Sequence, residues 1–181
     1  MASARLETIL DADYLAGIED LPMDDVRARR TECQAVEVAL SYARRLVQGR
    51  LDIIGAELER RSRGEGPTTA SELVELLQHG DLFGGHSRPE GFGRLPTLLA
   101  PDDADTEEIR REAAEVARSA DLSRLPDLDD AAVTGFADRL AAYESTTSAQ
   151  RRAVFEVIDT LQAEIVRRYK SGAATVDTLL K

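Results

Sequence analysis

The sequence predicts an all-α protein built on two long helices, and three observations carry that expectation. Ala, Leu, Glu and Arg, all good helix formers, dominate the chain, and the β-branched alternation of strands is hardly visible. Two stretches, residues 23–63 and 128–170, keep a helical apolar pattern for about 40 residues each, far above the usual helix length. A Gly- and Pro-bearing segment separates them. Matching lengths favour a long antiparallel hairpin paired as a coiled coil, although a parallel return through so long a connector is geometrically possible.

Residues 1–22 hold short apolar groupings, Ile9-Leu10 and Tyr14-Leu15, before Asp20-Leu21-Pro22, and read as a flexible arm or short helix. Pro22 stands where a helix starts, and Asp24 and Asp25 place negative charge in its first turn, where the helix dipole favours it. The pattern then runs past a tolerated Gly49 to the basic exit Arg60-Arg61-Ser62-Arg63-Gly64. Residues 64–127 form a connector with a short helical piece around Ala70–Gln78 and glycines at 80, 84, 85, 91 and 93. A further segment, Asp105 to Ser119, has the acidic-then-basic pattern of a solvated helix, which Leu122-Ser123-Arg124-Leu125-Pro126 breaks. Asp129 or Asp130 caps the second long helix, Ser171-Gly172 stops it, and residues 171–181 are a tail.

Bulk properties narrow the function classes. With 181 residues and 43% hydrophobic content the chain can bury a core, and 4% aromatics with no Trp point to aliphatic packing. A net charge of −11 and a pI near 4.7 argue against direct DNA binding and make a basic protein partner easier to accommodate. The single cysteine, Cys33, excludes an intrachain disulfide and a multi-cysteine metal site. No secretory pattern opens the chain and no window approaches 18 consecutive apolar residues, so a cytoplasmic protein without membrane attachment is expected. His79 and His86 lie in the Gly-rich stretch rather than at helical i, i+4 spacing, and no metal site is expected.

The functional clue is a repeated polar ladder. Glu37, Ser41, Arg44, Gln48 and Asp52 follow one another at steps of four, three, four and four, and Glu144, Ser148, Arg151, Phe155 and Asp159 repeat those steps. At about 100° per residue, each set returns to one helix face. An apolar row lies one residue ahead: Val36, Leu40, Ala43, Val47 and Leu51 in the first helix, Tyr143, Thr147, Gln150, Val154 and Ile158 in the second. The offset places each ladder beside the seam, facing a groove. Polar residues in such positions usually form interhelical salt bridges that set register, and that bland reading applies to each ladder residue singly.

The residue types fit a sharper purpose. A guanidinium presents a bidentate fork to a phosphate or to the O6 and N7 edge of guanine, while a carboxylate accepts from the N1 and N2 donors. Ser and Gln add neutral donors, and Glu can hold the Arg in its rotamer. Two copies match a ligand with two guanines and two phosphates.

The spacing E-x3-S-x2-R-x3-Q-x3-D resembles the cyclic-di-GMP signature of the RsiG family, anti-sigma factors of sporulating actinomycetes such as Streptomyces that sequester the sporulation sigma factor WhiG. The resemblance covers both long helices. It implies an antiparallel coiled coil that binds a cyclic-di-GMP dimer and, once loaded, keeps the sigma factor from RNA polymerase. Glu37, Ser41, Arg44, Gln48 and Asp52 match the first copy completely, and Glu144, Ser148, Arg151 and Asp159 match the second. Phe155 stands where the signature has Gln. It could stack on a base or pack against the seam, and packing is the preferred reading. Arg45, Arg50 and Arg152 flank the ladders and read as solvated surface.

No catalytic residue is expected, because hydrolysis of cyclic di-GMP needs a carboxylate and histidine cluster around a metal. Two other readings compete. A ligand-free coiled-coil adaptor would use the ladders for helix association alone. A chorismate-mutase-like helical enzyme would need converging cations for a dicarboxylate, whereas each Arg here has two carboxylates in its own ladder.

Overall fold

A computed structural model describes residues 3–66, 69, 71, 72, 104–119 and 122–171. All regular structure among them is helical: α1 (Ala4–Leu10), α2 (Met23–Ser62), α3 (Ala104–Ser119) and α4 (Asp130–Lys170), with 3-10 turns at Ala12–Leu15 and Leu122–Asp127. The helical piece expected to Gln78, the glycine cluster, His79, His86 and the tail beyond Ser171 lie outside the described residues, apart from Ser71 and Glu72. No described helix is long and apolar enough to cross a membrane.

Local chemistry sets the ends of the long helices. The Pro22 carbonyl accepts from the amides of Asp25 and Val26, starting α2 with Asp24 and Asp25 in its first turn. Gly64 ends it in the left-handed conformation, φ 75°, with its amide on the Arg61 carbonyl and that of Glu65 on the Arg60 carbonyl. These are the paired bonds of a Schellman motif, and a residue without Cβ suits the position. Asp129 caps α4: its carboxylate accepts from the Ala132 amide at 2.8 Å.

The chain divides into two compact units, and both long helices run through each. The first contains the described residues up to 40, together with 104–109 and 149–171. In it Arg27 donates to the Tyr169 hydroxyl, Arg30 to Gln162 at 2.6 Å and Arg151 to Glu37 at 2.8 Å. Advancing along α2 thus retreats along α4, so the pair is antiparallel. Its buried side chains include Val26, Val36, Leu40, Val154 and Leu161. The arm belongs to this core. Leu6 and Ile9 of α1 are fully buried, and the loop after it is held by the Arg168 guanidinium, so of the two expectations for this segment, flexible arm or short helix, the structure has the short helix, docked on this core.

The second unit contains residues 41–66, 69, 71, 72, 110–119 and 122–148 among those described. Arg44 meets Glu144 and, farther along α2, Arg61 meets Asp130, again an antiparallel pair. Val47, Ile53, Ile54, Val133 and Leu140 form its core with Leu122 and Leu125 from the 3-10 turn. Each fully buried Leu or Ile contributes about 1.5–3 kcal/mol of transfer free energy. The segment α3 was expected to be solvated. Ala113 and Ala117 are instead fully buried, because small residues one turn apart give the helix a flat side that packs closely.

Candidate functional site

Of the seam rows, Val36, Leu40, Ala43 and Val47 on α2 and Thr147 and Val154 on α4 are almost wholly inaccessible, whereas Leu51, Tyr143, Gln150 and Ile158 are half-buried. Thr147 is tolerated there because its hydroxyl donates to the Tyr143 carbonyl at 2.9 Å. The ladder residues, about 100° around each helix, emerge at the rim. Glu37, Ser41, Arg44, Gln48, Glu144, Ser148 and Arg151 are half-buried, while Asp52, Phe155 and Asp159 are exposed.

In the second unit the Glu144 carboxylate gathers the ladder. Its Oε1 accepts from Arg44 Nε at 3.0 Å, Gln48 Nε2 at 3.1 Å and Ser148 Oγ at 2.9 Å. Three donors converge on one oxygen. Arg44 spends only Nε on this contact, and a guanidinium has four further N–H donors on its two Nη groups. Asp52, one helical turn beyond Gln48, presents an exposed carboxylate.

The first unit repeats the exchange with the helices reversed. Arg151 Nε donates to Glu37 Oε1 at 2.8 Å, from α4 to α2. The position equivalent to Gln48 is Phe155 in this ladder. Phe155 instead lies beneath the Arg151 guanidinium, 4.7 Å from its carbon to the ring centroid, a cation–π contact. Asp159 is exposed, as Asp52 is. Half-buried pairs of this kind contribute about 1 kcal/mol or less to stability, so they can be exchanged for other partners at small cost.

Two expectations need correction. Phe155 does not pack against the seam: Val154 occupies that position, fully buried, and Phe155 falls at the rim with 37% of its surface exposed. Arg50 is not solvated surface. It is half-buried, its Nε donates to the Ala117 carbonyl near the end of α3 at 2.9 Å, and burial lowers its pKa. Sequence reasoning also passed over the two buried ion pairs Glu57–Arg61 and Glu164–Arg168, treating Arg61 as part of a basic helix exit. The sequence did contain a signal for them, because the 107-residue shift that superposes the ladders superposes these four residues too.

Among the described residues no group of three or more His, Cys, Asp or Glu side chains is placed to hold a metal ion. What the site offers is a row of exchangeable donors and acceptors, suited to a polar ligand with planar hydrogen-bonding edges.

A protein-family model described as RsiG-like matches residues 12–77 and 119–181, more than two thirds of the chain. No curated protein matches it. Both ladders, with the helices that pair them, fall inside the matched segments, and the chain belongs to the RsiG-like family, a family of regulatory anti-sigma factors.

Proposed function

We propose that this anti-sigma factor binds cyclic di-GMP through its two ladders and, ligand-loaded, sequesters a sigma factor of the WhiG type from RNA polymerase. The observation that carries the reading is the reciprocal exchange: in each unit a Glu from one long helix holds the Arg of the other, and an exposed Asp stands two turns beyond that Arg. Arg44 with Asp52, and Arg151 with Asp159, are the residue types that recognise the two hydrogen-bonding edges of guanine. Each unit thus carries one guanine-reading pair, in keeping with a guanine nucleotide as the ligand class.

The cross-helix carboxylates have a defined part in this scheme. Glu144 and Glu37 keep the guanidinium planes in place before ligand arrives, so less rotamer freedom is lost on binding. The two halves would act differently. Gln48 adds an amide donor in one unit, while Phe155 supports Arg151 from below in the other. The ligand then acts by linkage: whatever factor it adds to sigma affinity, sigma adds to ligand affinity.

The test is binding of labelled cyclic di-GMP to the full chain, with and without purified sigma factor. Arg44→Ala is expected to weaken nucleotide binding by tenfold or more, about 1.4 kcal/mol or beyond. Absence of binding by the wild type in both conditions sinks the proposal. A ligand-free helical adaptor, the competing reading, predicts that ladder variants change helix association and that no nucleotide binds.

A further inference from the structure

The shift of 107 residues that relates the ladders does not end with Asp52 and Asp159. It carries Glu57 to Glu164, Arg61 to Arg168, Ile18 to Leu125 and Leu21 to Leu128. The hydrogen bonds follow it atom by atom. In the first unit Arg168 donates through Nε to Glu164 Oε1, through Nη1 to the Leu21 carbonyl and through Nη2 to the Ile18 carbonyl, each at 2.6 Å. In the second unit Arg61 donates through Nε to Glu57 Oε1 at 2.5 Å, through Nη1 to the Leu128 carbonyl at 2.7 Å and through Nη2 to the Leu125 carbonyl at 2.8 Å. Three equivalent donors thus meet three equivalent acceptors in both units.

The two clamps are buried. Side-chain exposure is 9% for Arg61 and 1% for Glu57, and 10% for Arg168 and 8% for Glu164. An apolar pair of similar volume would often be no less stabilising at such a place, so stability alone does not account for a buried ion pair in both copies. Geometry does. Each arginine projects from the C-terminal part of one long helix and grips the backbone just before the first turn of the other: Ile18 and Leu21 precede α2, Leu125 and Leu128 precede α4. Only a planar fork of donors spans such acceptors together, and an ammonium does not reproduce it.

A grip of this kind sets axial register. One helical turn is about 5.4 Å, whereas hydrogen-bond distances tolerate only a few tenths of an ångström. The clamp and the ladder of each unit lie on the same two helices. Arg168 stands on α4 beyond Arg151 and Asp159, and Arg61 stands on α2 beyond Arg44 and Asp52.

We infer that Glu57–Arg61 and Glu164–Arg168 are positioning residues for nucleotide binding, fixing the register in which each ladder Arg meets the Glu of the opposite helix. This inference rests on the ladders binding cyclic di-GMP. Its test uses the full chain with Arg168→Lys, Arg168→Gln, Arg61→Lys and Arg61→Gln, and with Tyr42→Ala as an exposed control outside ladder and clamp. Circular dichroism checks helix content, amide exchange follows residues 18–21, 125 and 127–129, and titration calorimetry measures cyclic di-GMP affinity.

The clamp variants are expected to keep their helix content, to exchange faster only in the loop each clamp holds, and to bind nucleotide about tenfold more weakly. The Lys variants preserve charge and are the measure if a Gln variant does not fold. A double variant separates positioning from general loss of stability. In an Arg151→Ala background, Arg168→Lys should weaken binding no further, because the contact it aligns is already gone. Faster loop exchange with unchanged nucleotide affinity overturns the inference while leaving the ladders in place. A wild-type chain that binds no cyclic di-GMP overturns the ladder reading itself.

Discussion

Cys33 illustrates how surroundings decide what a side chain can do. It is fully buried in the first unit, its thiol contacts the Tyr14 hydroxyl at 3.6 Å, and that hydroxyl in turn donates to Glu32 Oε2 at 2.7 Å. Burial raises the thiol pKa, so little reactive thiolate forms at neutral pH. Burial raises Tyr14 as well, and its phenol stays protonated. Alkylation of Cys33 in the native chain should be about a hundredfold slower than in denaturant, followed by mass spectrometry. Equal rates would mean that the arm carrying Tyr14 opens readily. The arginines make the same point: Arg44 and Arg151 are half-buried at the rim and each meets a Glu of the opposite helix through Nε, whereas Arg61 and Arg168 are buried and each bridges a carboxylate and backbone carbonyls.

At the scale of the element, the long helices tolerate residues that propensity disfavours. Gly55 lies inside α2, exposed, and a Cβ added there meets nothing within 4 Å. Its backbone is helical, so the residue weakens the helix without serving a turn or a close approach. Gly55→Ala is expected to raise stability by about 0.5–1 kcal/mol, seen as a higher urea midpoint at unchanged slope. No gain would indicate that the outer face at this position has a contact in solution. The start of the connector is shaped by a capping box: the Thr69 amide donates to Glu72 Oε2 at 2.7 Å and the Glu72 amide to Thr69 Oγ1 at 3.3 Å. Hydrogen bonds to the carboxylate from the Thr69 amide and hydroxyl, with Arg60, bring the Glu72 carboxyl down to about 2.

Across the whole molecule, acid should loosen what neutral pH holds. Hydrogen bonds from Arg167 and Arg168 lower the Glu164 carboxyl from an ordinary 4.5 to about 2. A depressed folded value means that the contribution is complete above the unfolded pKa and disappears as pH falls through the folded one. The difference in melting temperature between wild type and Glu164→Gln should therefore be largest at neutral pH and shrink between pH 4.5 and about 2. Comparison with this variant matters because Glu72 titrates over the same window. A difference that stays constant there would show that Glu164 acts by shape alone.

The all-α class and the long helices were legible because 3.6-residue periodicity persists over many turns, and so was most of the seam on α2, while on α4 only Thr147 and Val154 of the expected row are buried. The contacts were not. Arg168 sits in a basic last turn, where a cation normally complements the helix dipole in solvent. Its backbone acceptors, the Ile18 and Leu21 carbonyls, lie 150 and 147 positions away, which no local pattern reports. The choice between a flexible arm and a short helix was not legible, because seven residues of helix are too few to be stable alone, and their order comes from burial of Leu6 and Ile9. Phe155 was misjudged because its hydrophobicity suggested the seam, while position around the helix decided the outcome.

The equivalence of Arg61 with Arg168, and of one ladder with the other, has a consequence for how the protein can change. In an assembly of identical subunits, any substitution strikes both equivalent places together. Here each copy of ladder and clamp is written separately in one chain, so one can drift while the other is retained. Gln48 and Phe155 already occupy the same position of the two copies with different chemistry. The chemistry of one copy can thus change without a matching change at its twin, a freedom that a symmetric dimer lacks.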